Sequence, residues 1–574
     1  MTDMAVQIKD LTYYYPDSAA PCLSGISLNI PRNRFIVIMG VNGAGKTSLA
    51  LCLNGIIPQL LEGRLLGEVR VGGKDARKTR TQSLAGTVGL VLQDPESQII
   101  GLTVAEDTAF GPRNLGLSPG EIEERVQTEL AKTGLSGYES RPTDELSGGE
   151  KQRLVLAGVL AMRQDVLVLD EPASELDPEG RARLYAVLDQ LRREGSRTII
   201  VIEHAIEDVW HRADEVIVLK EGKVAWQGEP RLLFQNLPLL YLLGIKPLTV
   251  SRYFWPFVEK GWLTAGEIPL SIEEAAGLLP KLPVREFSAT AGEFSAAENR
   301  QSSEEGKDRQ AAGQEGENNP AGTVVIRGLT HRYTSSVLSL DNIHLEIGKG
   351  EFAALIGPNG AGKTTLTKHL NGLLKPVRGD VWVSGKNTRE FGTAQLAATV
   401  GYVFQNPDHQ LFETTVEKEL AFGLKKAGMS PEAVNKRVEE VLHDFDLTEY
   451  RGVHPLTLGK SVRQLLTVAA ALVLKPDILV VDEPTKGLDW PGAQRMMGIM
   501  KKLHREGTTV IVITHDMELA AQAGRVIVLK DGRILRSGSP WEIFTDEACM
   551  SSAGIIPPQI VRLRQLQQSL SSLS

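Results

Sequence analysis

Residues 34–48 read RFIVIMGVNGAGKTS, and residues 351–365 read EFAALIGPNGAGKTT. Each stretch is a short apolar run, then a glycine-rich turn, then Lys-Thr at the start of a segment with helical character. This is the order a phosphate cradle requires. Glycines let backbone amides wrap the anion, the lysine meets the β and γ oxygens, and the hydroxyl after it ligates Mg²⁺. The loop residues are Gly40, Asn42, Gly43, Gly45, Lys46, Thr47 and Ser48 in one stretch, and Gly357, Asn359, Gly360, Gly362, Lys363, Thr364 and Thr365 in the other. One such loop can be a glycine-rich turn; two in matched context point to ATP.

Working outward from the loops, the chain repeats itself. Gly40 and Gly357 lie 317 residues apart, QDPESQ at Gln93 and QNPDHQ at Gln405 lie 312 apart, and Asp170 and Asp482 also 312. His204 and His515 lie 311 apart, and LSGGE at Leu146 and LTLGK at Leu456 lie 310 apart. Markers in one order at a nearly constant offset imply two copies of one domain, expected at 1–237 and 323–545. Residues 238–286 read as a small helical appendage. Residues 287–322, rich in Ala, Gly, Ser, Gln and Glu, read as a disordered linker. Its root-mean-square span of roughly 30 to 36 Å lets the copies face each other at high effective concentration. Residues 546–574 read as a helical tail.

Short buried strands such as VLVLD, TIIVIEH, ILVVDE and TVIVITH alternate with helical stretches. That pattern predicts an α/β fold, two tandem domains each built on a mainly parallel sheet covered on both faces, with functional loops at the strand ends. Asp170 and Asp482 then end buried strands, placed to hold Mg²⁺ through water. Glu171 and Glu483 can orient the attacking water, and His204 and His515 can reach the γ-phosphate.

Composition limits the alternatives. Of 574 residues, 42% are hydrophobic and 23% charged, so cores can form; the net charge of −8 disfavours a nucleic-acid binder. Cys22, Cys52 and Cys549 are far apart and form no disulfide framework or metal-binding pattern. The beginning, MTDMAVQIKDLTYYY, has no signal-peptide core, and the apolar runs fall short of the ~20 residues a membrane span needs.

Together these residues, with LSGGE between the glutamine and the Asp-Glu pair, resemble the ABC-type ATPases over both copies. The resemblance implies head-to-tail pairing within the chain, each nucleotide lying between the glycine loop of one copy and the signature of the other. It implies that Tyr15 and Tyr333 stack on adenine, and that Gln93 and Gln405 sense the γ-phosphate. The segments after these glutamines look like those of energy-coupling factor (ECF) transporter ATPases. There Glu96 with Gln98, and Asp408 with Gln410, are expected to face coupling helices of an integral membrane protein, accompanied by a substrate-binding membrane component. The expected site is the cytoplasmic face of the cell membrane.

The signatures differ. Ser147, Gly148, Gly149 and Glu150 stand against Thr457, Leu458, Gly459 and Lys460. On that pairing the second copy keeps a hydroxyl at Thr457, gains bulk at Leu458 and reverses the charge of Glu150 at Lys460. The site built on Lys46 is then impaired and the one built on Lys363 intact, unless Lys460 itself approaches the phosphate. The expected function is the ATPase subunit of an ECF-type importer of a vitamin, a vitamin precursor or a transition-metal ion. A soluble tandem ATPase acting on ribosomes or DNA, and the ATPase of another importer class, stand as alternatives.

Overall fold

The structure, a computed structural model, describes residues 3–174, 176, 178–204, 206–282, 323–333 and 338–571. The expected linker at 287–322 lies outside the described residues. The chain divides into two units, Met1–Leu270 and Ser271–Ser574.

In the first unit, strands Leu23–Pro31, Met4–Tyr14, Arg64–Val71 and Lys74–Asp75 form an antiparallel sheet in that order. Alternation drives it: Val6, Ile8, Leu11 and Tyr13 are buried while Gln7 and Lys9 are exposed. The second sheet has six strands in the order Lys223–Gly228, Glu215–Lys220, Phe35–Met39, Thr198–Ile202, Val166–Asp170 and Val88–Val91. Its pairings are parallel except that of Lys223–Gly228 with Glu215–Lys220. Phe35–Met39, Val166–Asp170 and Thr198–Ile202 are buried at every position, as expected of a parallel sheet covered on both faces.

One apolar core joins the two sheets through the helix Lys46–Leu53, and a second packs the other face. A third and separate core, holding Val104, Val126, Leu130, Leu146 and Leu154, belongs to a helical subdomain. The second unit repeats the plan, with sheets of four and six strands in corresponding orders. The mainly parallel sheet expected from the sequence is present in each unit. The four-stranded antiparallel sheet beside it was not part of that expectation.

The segment read as one appendage is divided. Helices Leu237–Leu243 and Thr249–Glu259 lie in the first unit, where Phe254 and Phe257 are buried. Helix Ile272–Leu278 groups with the second unit and packs on Gln559–Ser571.

Candidate nucleotide sites

Each glycine loop leaves the centre of its six-stranded sheet and turns into a helix. Gly40 has φ 149° and Gly357 φ 151°, and a Cβ on either would collide with a backbone carbonyl oxygen, of Leu219 or Leu529. Only glycine lets the backbone pass so close. The Nζ of Lys46 donates to the carbonyls of Gly40 and Val41, each at 2.9 Å; that of Lys363 donates to Gly357 at 2.8 Å and Pro358 at 2.9 Å. Both ammonium groups are thus held inside their loops, where phosphate oxygens can replace the carbonyls. Burial lowers the pKa of Lys363.

The Thr47 hydroxyl donates to Asp170 at 2.6 Å, and Thr364 to Asp482 at 2.7 Å. Desolvation pushes the Asp170 carboxyl up to about 6 and raises that of Asp482. A hydroxyl and a buried carboxylate converging at a phosphate loop suit a small hard cation such as Mg²⁺, and its charge would offset that desolvation.

The adjacent glutamates occupy a costly backbone region, φ 47° at Glu171 and 53° at Glu483. Backbone hydrogen bonds of 2.9 Å to the carbonyls of Ile202 and Ile513 hold them there. Glu171 Oε1 lies 3.2 Å from Nε2 of His204, and Glu483 Oε1 lies 3.5 Å from Nε2 of His515. Glu483 Oε1 is buried with no hydrogen-bond partner among the described residues. Burial, with the charge of Asp482 behind it, pushes the Glu483 carboxyl up to about 7. Gln93 donates to Glu171 at 2.8 Å. Gln405 is exposed and makes no such bond to Glu483.

Tyr15 and Tyr333 lie at the rims of the loops, their hydroxyls 2.9 Å from Ser48 and 3.1 Å from Thr365. Their rings are partly exposed, as a base-stacking surface requires.

The signature pairing expected from the sequence is corrected by the helices that follow it. Ser147 caps Gly148–Ala161, and Gly459 caps Lys460–Leu472. Leu146 and Leu458 are both buried just before their caps, and Gln152 and Gln464 are both buried inside the helices. Every one of these pairs is 312 residues apart, so Ser147 matches Gly459, Gly148 matches Lys460, Gly149 matches Ser461 and Glu150 matches Val462. The pairing of LSGGE with LTLGK, at an offset of 310, is two residues out of this register. Leu458 therefore adds no bulk at the helix start; it fills the place of Leu146. Thr457 stands outside the cap, its hydroxyl donating to His454 at 2.8 Å.

The caps differ in chemistry. The Ser147 N–H and hydroxyl both donate to Glu150 at 2.7 Å, and Glu150 N–H returns to the Ser147 oxygen. Gly459 has no side chain to offer, and the side chain of Lys460 lies against Gly487 of its own unit.

Gln98 and Gln410 are also used differently from the expectation that they face a partner. Gln98 accepts from Leu92 N–H at 2.6 Å and donates to Leu90 at 3.0 Å; Gln410 accepts from Phe404 N–H and donates to Thr467. Both brace the loop from inside. Glu96 and Asp408 are outside and ion-paired, to Lys151 at 2.5 Å and Arg463 at 3.0 Å. Lys151 and Arg463 were missed in the sequence, although they share the 312-residue offset of the acids they meet.

The ABC transporter family model matches residues 23–174 and 340–486, taking in both glycine loops and both Asp-Glu pairs. The chain belongs to the ABC transporter ATPases. It is 38% identical over 568 residues to an ABC transporter ATP-binding protein of Caldanaerobacter subterraneus, covering 98% of this chain and 96% of that one. It is 40% identical to one of Methanosarcina acetivorans, covering 98% and 90%. The solved structure of cbiO1 from Clostridium perfringens, described as part of the ABC transporter complex cbiONQ, is 34% identical. It covers 44% of this chain and 99% of its own, with a TM-score of 0.38. This tandem ABC protein binds ATP and is an ATPase coupled to transport. No helix among its described residues is long and apolar enough to cross a membrane.

Proposed function

We propose that this chain is the ATP-hydrolysing subunit of an ECF-type importer, acting peripherally on the cytoplasmic face of the cell membrane. One observation carries the reading. Beside the braced glutamine loop, each unit sets large exposed apolar side chains next to an acid–base pair. In the first unit these are Ile100 and Leu102, a few residues after Glu96 of the Glu96–Lys151 pair, with Ile100 65% and Leu102 80% exposed. In the second they are Phe412 and Phe422, in edge contact, beside Asp408–Arg463. An apolar patch with a charged rim, present twice, suits two short helices of a membrane partner. The substrate class is a vitamin, a vitamin precursor or a transition-metal ion, bound by membrane subunits.

Thr47 with Asp170, and Thr364 with Asp482, would hold Mg²⁺, which when bound would supply charge neutralisation to the transferring phosphoryl group. Lys46 and Lys363 bind the phosphates, and Glu171 and Glu483 orient the attacking water. In the head-to-tail pairing that the family resemblance implies, the nucleotide on Lys363 meets Ser147, Gly148 and Gly149. The one on Lys46 meets Gly459, Lys460 and Ser461. The missing serine hydroxyl leaves the first site short of one preorganised donor, a loss of about 3 kcal/mol in comparable sites. Hydrolysis is then carried mainly by the second glycine loop.

Co-purification from detergent-solubilised membranes tests the partner. Ile100→Asp with Phe412→Asp is expected to release a membrane protein that the unaltered chain retains, while ATP binding persists. Recovery with ribosomes and no membrane protein favours the alternative of a soluble tandem ATPase, which the net charge of −8 already disfavours.

A further inference from the structure

Ser147 and Gly459 open their helices on the same backbone, but the side chains behind them differ as a set. The preceding turn matches bond for bond. Arg141 N–H donates to the Tyr138 carbonyl at 2.8 Å and its own carbonyl accepts from Val104; Val453 does the same with Tyr450, at 2.9 Å, and Val416. On that shared frame the guanidinium of Arg141 lies 4.9 Å over the Tyr138 ring, donates to the Glu145 carbonyl at 3.0 Å and reaches Glu150 Oε1 at 3.3 Å. Glu150 Oε2 takes the N–H and the hydroxyl of Ser147. In the second unit the places of Arg141 and Glu150 are held by Val453 and Val462, so the arginine and the acid are replaced together. A carboxylate in the first turn suits the helix N-terminus, but it sits in the same field that would draw a phosphate. It also holds the hydroxyl proton that Ser147 would give to a nucleotide.

We propose that Arg141 is a positioning residue of the signature: by drawing Glu150 to itself and offsetting its charge, it leaves the Ser147 cap able to receive an anion. Ser147 and Gly148 are exposed, so the start of the helix is open to a ligand. Without the guanidinium, an unpaired carboxylate would repel the phosphate and keep the serine proton. With neither the acid nor the arginine, as at Val462 and Val453, there is no such charge to offset. Arg141 acts only through Glu150 and touches no reacting atom. This rests on the reading that the nucleotide on Lys363 meets Ser147.

The test is single-turnover ATP hydrolysis by the full chain with Mg²⁺, in a Glu171→Gln background that reports the second glycine loop. Arg141→Ala is expected to slow hydrolysis about fivefold, within the range for contacting residues. With Glu150→Gln also present, the same substitution is expected to slow it less than about twofold, because no charge is left to offset. Arg141→Lys keeps the charge, and with it at least about half of the rate. Arg141→Val with Glu150→Val, the pair that the second unit carries on this backbone, is expected to hydrolyse faster than Arg141→Val alone. A merely structural role, bracing Tyr138 and Glu145, would make Arg141→Ala equally slow with Glu and with Gln at position 150. That result, with hydrolysis still sensitive to Ser147→Gly, would overturn this inference alone. Unchanged hydrolysis with Ser147→Gly would overturn the reading that Ser147 meets this nucleotide, and this inference with it.

Discussion

Nε2 of His369 lies 3.2 Å from Nδ1 of His331, both rings buried behind the second glycine loop. The Nδ1 of His369 faces the Thr365 carbonyl at 2.8 Å, which can only accept, so Nδ1 carries the proton and Nε2 accepts from His331. Protonating His369 would make its Nε2 a donor and force His331 to give up its Nδ1 proton.

Burial accordingly pushes His369 down to about 4, from its ordinary 6.5. Between those values the unfolded chain binds a proton that the folded chain does not. Stability is therefore full above about pH 6.5 and falls as pH drops toward 4, by about 2 kcal/mol at pH 5. Thermal unfolding of the full chain at pH 7.5 and pH 5 measures it. His369→Gln is expected to flatten that dependence, and an unchanged slope would remove His369 as its source.

On the proposed pairing, in which the second glycine loop would meet the complete signature, Glu483→Gln is expected to abolish steady-state ATP hydrolysis. Glu171→Gln is expected to leave much of it. Equal losses measured in the two single variants would remove the asymmetry.

Ser147→Gly separates folding from chemistry. Glycine is a tolerable cap, so the melting temperature should move by no more than a few tenths of a kcal/mol allows. If the hydroxyl meets the nucleotide, turnover falls at least about tenfold. Gly459→Ser is the converse, expected to raise single-turnover hydrolysis at the first site while stability changes little.

Asp482→Asn should raise the Mg²⁺ concentration needed for half-maximal hydrolysis while nucleotide still binds, read by titrating Mg²⁺ against turnover. If the second glycine loop carries most of the hydrolysis, as proposed, Asp170→Asn should change steady-state turnover less. A chelator should abolish turnover in both.

The glycine loops, the Asp-Glu pairs, the histidines and the repeat were legible in the chain because each depends on local order. A glycine with positive φ, a lysine one residue later and a buried strand before them are neighbours in sequence. The signature was harder to read. LTLGK looks like an altered LSGGE only while glycine is matched to glycine. Leu458 and Gln464, buried like Leu146 and Gln152, show that the counterpart begins two residues later. Gln98 and Gln410 were visible as a repeated pair, but not that they turn inward, since their partners are backbone groups with no sequence signature.

By itself, the sequence determined that this is a tandem nucleotide-binding protein, because phosphate recognition is carried by a short run of backbone and two side chains. Only the tertiary structure decided which neighbour holds each glutamate. Gln93 and Glu171 are 78 residues apart in the chain and 2.8 Å apart in space. Their meeting depends on the parallel pairing of Val88–Val91 with Val166–Asp170, which brings the two strand ends together.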